Sequence, residues 1–178
     1  MNIIVTTGMP GTGKEEFLSV ASSLGMRFVR MGDVVRDAHA ERGGDLSVGA
    51  FANQERERNG PAIWGLACME RALAIANGSN MVILDGCRSL AEIEVMREHG
   101  NVTIVNIQSP SDSRYARLRA RGREDAPNGI DEFDERDRRE LSWGLGKVIA
   151  VADHILLNDG TLDEFKDRSL ELLKGLSV

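Results

Sequence analysis

Ile3-Ile4-Val5-Thr6-Thr7-Gly8-Met9-Pro10-Gly11-Thr12-Gly13-Lys14-Glu15-Glu16 decides the fold. A short β-branched run passes without a break into Gly-x-x-x-x-Gly-Lys, and a helix is expected over Glu15–Leu24. Glycines at Gly8, Gly11 and Gly13 let backbone N–H groups curl around a phosphate without Cβ clashes. The positive end of the helix adds to the attraction. Thr12 lies inside the loop, and Lys14 offers a mobile cation to β- and γ-phosphate oxygens. The position after the lysine, usually a Ser or Thr that ligates Mg²⁺, holds Glu15, with Glu16 behind it. Two carboxylates suit a helix N-terminus. They either hold Mg²⁺ through water or face solvent; solvent is the expectation for Glu15, and Glu16 stays open.

Outward from that loop, further apolar runs stand at Met26–Met31, Met81–Leu84, Val102–Ile107 and His154–Leu157. They are short, do not alternate with polar residues, and are separated by helical stretches. Strands of a parallel sheet covered on both faces read this way. Pro61 opens a helix through Ala62–Ala76 that stops at Asn77-Gly78. Ser89 caps Leu90–His99, and Thr161 with Glu164 forms a capping box. The expected fold is an α/β three-layer domain with a five-stranded parallel sheet and right-handed crossovers. The whole chain, 1–178, reads as a single domain with two insertions. Residues 32–80 read as three helices. Residues 117–140 carry 15 charges in 24 positions. A solvated helix face explains such a charged run, but both insertions follow carboxyl ends of strands, where open α/β sheets bind ligands.

Composition sets the outer limits. The chain has 178 residues, 42% of them hydrophobic and only 4% aromatic, so aliphatic packing should dominate its core. With 28 acids against 22 bases the net charge is −6, which disfavours sequence-independent nucleic-acid binding. No apolar run is long enough to cross a bilayer and no signal peptide is visible, so a cytoplasmic location is expected. Cys68 and Cys87 give neither a metal spacing nor a disulfide framework, and His39, His99 and His154 are scattered singly. Within the basic residues, 18 are Arg and four are Lys, and seven of the arginines fall in 117–140. Genomic bias explains the total; bidentate phosphate recognition explains the placement.

Asp85 ends the third apolar run, where an acid beside a phosphate loop holds Mg²⁺ or its waters, unless it serves only the turn before Gly86. Arg117 and Arg121 share one helical face. Their alternative is surface pairing, together with Arg119 and Arg123, to Glu124, Asp125, Asp131 and Asp134. Trp64, Trp143 and Tyr115 are expected to pack in the core rather than stack on a base.

Gly8–Lys14, Gly32-Asp33-Val34-Val35-Arg36, Phe51-Ala52-Asn53, Leu84-Asp85-Gly86-Cys87-Arg88-Ser89-Leu90, Arg121-Gly122-Arg123-Glu124-Asp125 and Asn158-Asp159-Gly160 together carry a resemblance. The chain resembles the nucleoside-monophosphate kinases, adenylate kinase and dephospho-CoA kinase among them. It is more closely similar to an archaeal family of small nucleotide-kinase-like P-loop proteins, over nearly its whole length. The resemblance implies that residues 32–80 bind the acceptor and residues 117–140 form a short lid. It implies that Gly32, Asp33 and Arg36 meet the acceptor, with Arg36 on its phosphate, and that Arg88 reaches between acceptor and donor phosphates. Adenylate kinase has a further proline before that arginine, which is missing here. Arg117 and Arg121 match paired arginines where the lid begins, and Arg123 with one of Arg136, Arg138 or Arg139 would fold over the triphosphate. Asn158-Asp159-Gly160 resembles a loop that contacts the donor base.

The expected activity is ATP-dependent, Mg²⁺-assisted phosphoryl transfer to a small nucleotide or nucleotide-like acceptor, of nucleoside-monophosphate or dephospho-CoA type. Such transfer asks for positioning and cations. A phosphate acceptor needs no base; a hydroxyl acceptor needs one, and Asp33 is the candidate. The competing reading is an ATP-binding switch or slow ATPase serving a protein or RNA partner. No oligomeric state is indicated.

Overall fold

A computed structural model describes residues 1–122 and 126–177. The five strands are β1 (Asn2–Thr7), β2 (Phe28–Arg30), β3 (Met81–Asp85), β4 (Asn101–Gln108) and β5 (His154–Leu157). The helices are α1 (Lys14–Ser23), α2 (Met31–Arg42), α3 (Val48–Asn59), α4 (Ile63–Ala76), α5 (Leu90–Arg97), α6 (Ser111–Ala120), α7 (Ile130–Ser142), α8 (Leu145–Ala150) and α9 (Leu162–Leu176). The sheet order is β2-β3-β1-β4-β5 and every pairing is parallel.

Alternate residues of β1 to β4 enter opposite cores, while β5 buries Leu156 and leaves Ile155 and Leu157 exposed. Ile3, Val5, Val82, Leu84 and Ile104 pack under α2, α3, α4, α5 and α8. Ile4, Ile83, Val105, Ile107 and Leu156 pack against α1 and α9. Both faces are therefore covered, which is why the strands read as unbroken apolar runs. The expected three-layer α/β fold is present, and residues 32–80 do hold the three helices α2, α3 and α4. The second strand is shorter than its apolar run. Met31 opens α2 instead of closing β2, with Arg30 at the N-cap in extended backbone. The capping boxes at Ser89/Glu92 and Thr161/Glu164 both form.

The strand order brings the carboxyl ends of β1 and β3 side by side, with Thr6 opposite Asp85. Thr6 Oγ1 donates to Asp85 Oδ1 at 2.6 Å, and Thr7 Oγ1 donates to the Cys87 carbonyl at 3.0 Å. Two threonines at the mouth of the phosphate loop thus fix the β3 exit that carries Asp85 and Arg88.

Candidate active site

Glycine at two loop positions is set by space as well as by backbone angle. Gly8 has φ +139°, and a Cβ there would lie 2.3 Å from the Ile107 carbonyl. Gly13 has φ +106°, and its Cβ would lie 2.4 Å from Asn158 Nδ2. Gly13 caps α1 without a side chain, so nothing covers the helix end that faces the loop. Lys14 Nζ donates to the carbonyls of Gly8 at 2.7 Å and Met9 at 3.1 Å, folded back over the loop. Burial lowers its pKa, and the nearby Asp85 carboxylate works the other way. Burial likewise raises the pKa of Asp85, opposed by Lys14 and by the Thr6 hydroxyl.

Lys14, Glu15, Asp85, Arg88, Arg121 and Arg136 line a cleft of about 140 Å³ at the N-terminus of α1. Glu15 borders the cleft 4.0 Å from Arg121, and its side chain is still 40% exposed to solvent. Glu16 turns the other way, to Lys166 of α9 at 3.8 Å. Arg88 holds Glu140 of α7 with Nε at 2.7 Å. Asp33 and Arg36 pair with each other, and Arg30 is 3.9 Å from Asp33. Gly32 lies against the Arg36 guanidinium. These three acceptor candidates form a group of their own at the start of α2, outside the lining of the cleft.

The loop behind the last strand supports the phosphate loop directly. Asn158 Nδ2 donates to the Thr12 carbonyl at 2.8 Å, and Thr12 Oγ1 donates to Met9 O at 3.0 Å. Arg117 Nη1 donates to Ser109 Oγ at 2.7 Å and Gly11 O at 3.3 Å, and Nη2 to Asn158 Oδ1 at 3.2 Å. Burial, with Arg121 nearby, lowers the Arg117 pKa. Asp159 pairs with Arg168, and a Cβ on Gly160 would meet Glu164. Arg123 lies outside the described residues.

Several groups at the site carry no motif. Arg114 donates to Pro10 O at 3.1 Å and, in a two-point contact, to Asp137 at 3.0 and 2.6 Å. One buried guanidinium so joins the phosphate loop, α6 and α7. Glu92, fully buried, accepts from the backbone N–H groups of Arg88 and Ser89 and faces Arg56. The Ser89-x-x-Glu92 spacing points to a cap, but nothing local points to Arg56, Arg114 or Glu140. Trp64 packs in the core as expected, but Tyr115 and Trp143 are only half-buried. Tyr115 lies edge-on to Phe133 with Arg119 at 5.8 Å, and the guanidiniums of Arg88, Arg56 and Arg139 stand 5.1, 5.5 and 6.0 Å from the Trp143 ring centre.

A family model described as an AAA domain matches residues 4–141. A UPF0200 protein of Sulfurisphaera tokodaii is 40% identical over 99% of this chain and 98% of its own length. The chain belongs to the UPF0200 family. A UPF0200 protein of Methanothermobacter thermautotrophicus is 38% identical over 99% of this chain and 93% of its own. Among solved structures, TT1252 from Thermus thermophilus superposes with a TM-score of 0.69 at 19% identity, covering 97% and 96% of the two chains. Shikimate kinase from Aquifex aeolicus gives 0.53, also at 19% identity, over 99% and 98%. These likenesses show an α/β P-loop fold for this UPF0200 member. Among the described residues of this UPF0200 member, no helix is long and apolar enough to cross a membrane.

Proposed function

We propose that the protein transfers the γ-phosphoryl group of ATP to a nucleotide or nucleotide-like small molecule, of nucleoside-monophosphate or dephospho-CoA type, in the cytoplasm. The observation that carries this reading is the convergence of Lys14, Asp85, Arg88 and Arg121 on one cleft at the N-terminus of α1. Donor phosphates meet the loop amides and Lys14, which leaves the carbonyls of Gly8 and Met9 when phosphate oxygens compete for it. Arg88 and Arg121 face the transferring group from the other side. The paired Arg36 and Asp33 open the acceptor region 32–80, and 117–140 acts as the lid of a single domain 1–178. Asn158-Asp159-Gly160, with Arg117, holds the donor side.

Asp85 and Glu15 suit Mg²⁺ held largely through water, since one or two carboxylates plus substrate phosphates are its usual ligands. When bound, Mg²⁺ supplies neutralisation of charge on the β- and γ-oxygens. Thr6 keeps one Asp85 oxygen oriented, and the remaining carboxylate surface faces the cleft.

The test is a screen with γ-labelled ATP and a panel of nucleoside monophosphates and dephospho-CoA. Labelled product from one acceptor class supports transfer. Release of labelled phosphate without any labelled product overturns it in favour of a slow ATPase or switch. The carboxylate Glu15, standing where Ser or Thr usually ligates the metal, is the observation that favours that second reading.

A further inference from the structure

Arg56 of α3 is one of the least expected residues near the cleft. Its side chain is 14% exposed, and its Nη2 lies 3.5 Å from Glu92 Oε1. Its Nη1 and Nη2, and the Glu92 Oε1 that faces them, are buried without a hydrogen-bond partner among the described residues. A buried guanidinium donor left unmatched is costly, and the cost is removed by an acceptor that arrives from outside. The same indole, Trp143, carries Arg56 at 5.5 Å and Arg88 at 5.1 Å from its ring centre, with Arg139 at 6.0 Å. Arg88 also lines the phosphate cleft.

Charge favours an anion here. Three guanidiniums gather at Trp143, while the carboxylates in contact with them are Glu92 and Glu140. Glu92 Oε2 accepts from the backbone N–H groups of Arg88 and Ser89, which fixes the turn that carries Arg88. Arg36, by contrast, is exposed and paired with Asp33. A planar, forked cation on an aromatic face is prearranged for phosphate oxygens.

We propose that Arg56 and Arg88, stacked on Trp143, form a seat for a phosphomonoester dianion, and that this seat holds the phosphate of the acceptor. Assigning the anion to the acceptor rests on the transfer reading above; the seat itself does not. A phosphate bound there touches Arg88, the residue shared with the donor cleft, and so sits next to the group being transferred. The excess of cations favours a dianion over a carboxylate.

Calorimetric titration with inorganic phosphate, with acetate as the control anion, tests the seat independently of turnover. The intact protein should show two phosphate sites, loop and seat. Lys14→Met removes the loop site and should leave one. Adding Arg56→Lys keeps a charge facing Glu92 but loses the fork, and should weaken that remaining site about tenfold or more. Acetate should not compete. Loss of all phosphate binding with Lys14→Met alone overturns the proposal, as does a remaining site that ignores Arg56→Lys. If Arg56→Lys disturbs folding, the neutral pair Arg56→Met with Glu92→Gln decides. Placed in the Lys14→Met protein, it removes both charges and leaves a carbonyl for the Arg88 and Ser89 amides, so phosphate binding retained in that folded variant overturns the seat. A seat that binds phosphate in a protein that transfers no label would refute the kinase reading and leave the seat standing.

Discussion

The phosphate loop is held through its backbone carbonyls, by its own Lys14 and Thr12 and by Arg114, Arg117 and Asn158 from later in the chain, whereas the arginines facing it are held by carboxylates. Lys14 rests on Gly8 and Met9, and Thr12 on Met9. Arg88 instead reaches Glu140 of α7, Arg114 reaches Asp137, and Arg56 reaches Glu92 of α5. Both walls prepare for the same phosphate charge. The loop does so with backbone dipoles that need no counter-ion. The arginine wall does so with full charges, which need partners while the substrate is away. The carboxylates of that wall therefore stand where phosphate oxygens can replace them.

The largest effects should separate the two walls. Lys14→Met should lower transfer roughly 10³-fold, on the order of 4 kcal/mol of transition-state stabilisation. Its melting midpoint should move much less than that of Asp137→Asn, because burial already disfavours the lysine charge. Asp137→Asn removes the charge facing a side chain only 8% exposed, and should cost about 3 kcal/mol in denaturant unfolding. Equal destabilisation by the two variants would erase the contrast drawn here.

The same division decides how much could be read in the sequence. The loop, β1 and the start of α1 are one continuous segment, so spacing and glycine content reveal them. The sheet was legible because both faces are covered and its strands read as apolar runs. Lys14, Asp85 and Arg88 could be named because motif positions at strand ends meet at one cleft, which Arg121 at the end of α6 also lines. Arg56, Arg114, Glu140 and the altered role of Trp143 were not legible. Each depends on α3, α6 and α7 folding against one another, and a charged residue in a charge-rich helix looks like any solvated one. Glu15 is exposed in part, as expected of it, but its place beside Arg121 at the end of α6 is something the local sequence does not show.

Glu140→Gln gives a finer probe of the arginine wall. Glu140 is 5% exposed and meets Arg88 through both carboxylate oxygens. The amide keeps an acceptor for Arg88 but removes the competing charge. Phosphate should then bind roughly fivefold more tightly, about 1 kcal/mol. The gain should shrink as salt is raised, which titration at two ionic strengths would show. Weaker phosphate binding in this variant would mean that Glu140 positions Arg88 for phosphate rather than standing in for it.

The smallest effect concerns the core beneath the arginine wall, where α4 and the β3 exit bury two thiols. Burial pushes Cys68 up to about 12, and burial with the Glu92 carboxylate pushes Cys87 well above the usual thiol range. The sign follows from proton counting. Between the ordinary thiol value of 9.0 and about 12, the unfolded chain releases the Cys68 proton and the folded chain keeps it. Stability carried by the neutral thiol is whole below that window and falls as pH rises through it. Denaturant titrations across alkaline pH should show the fall, Cys68→Ala should make it shallower, and removing Cys87 as well should flatten it. Iodoacetamide should label Cys68 at neutral pH only after unfolding, since a buried neutral thiol is a poor nucleophile. The phosphate loop contains no thiol, so phosphate affinity of the folded protein should not follow the alkaline slope. If affinity falls in step with stability, the two walls are coupled through α5 and the Arg88 turn.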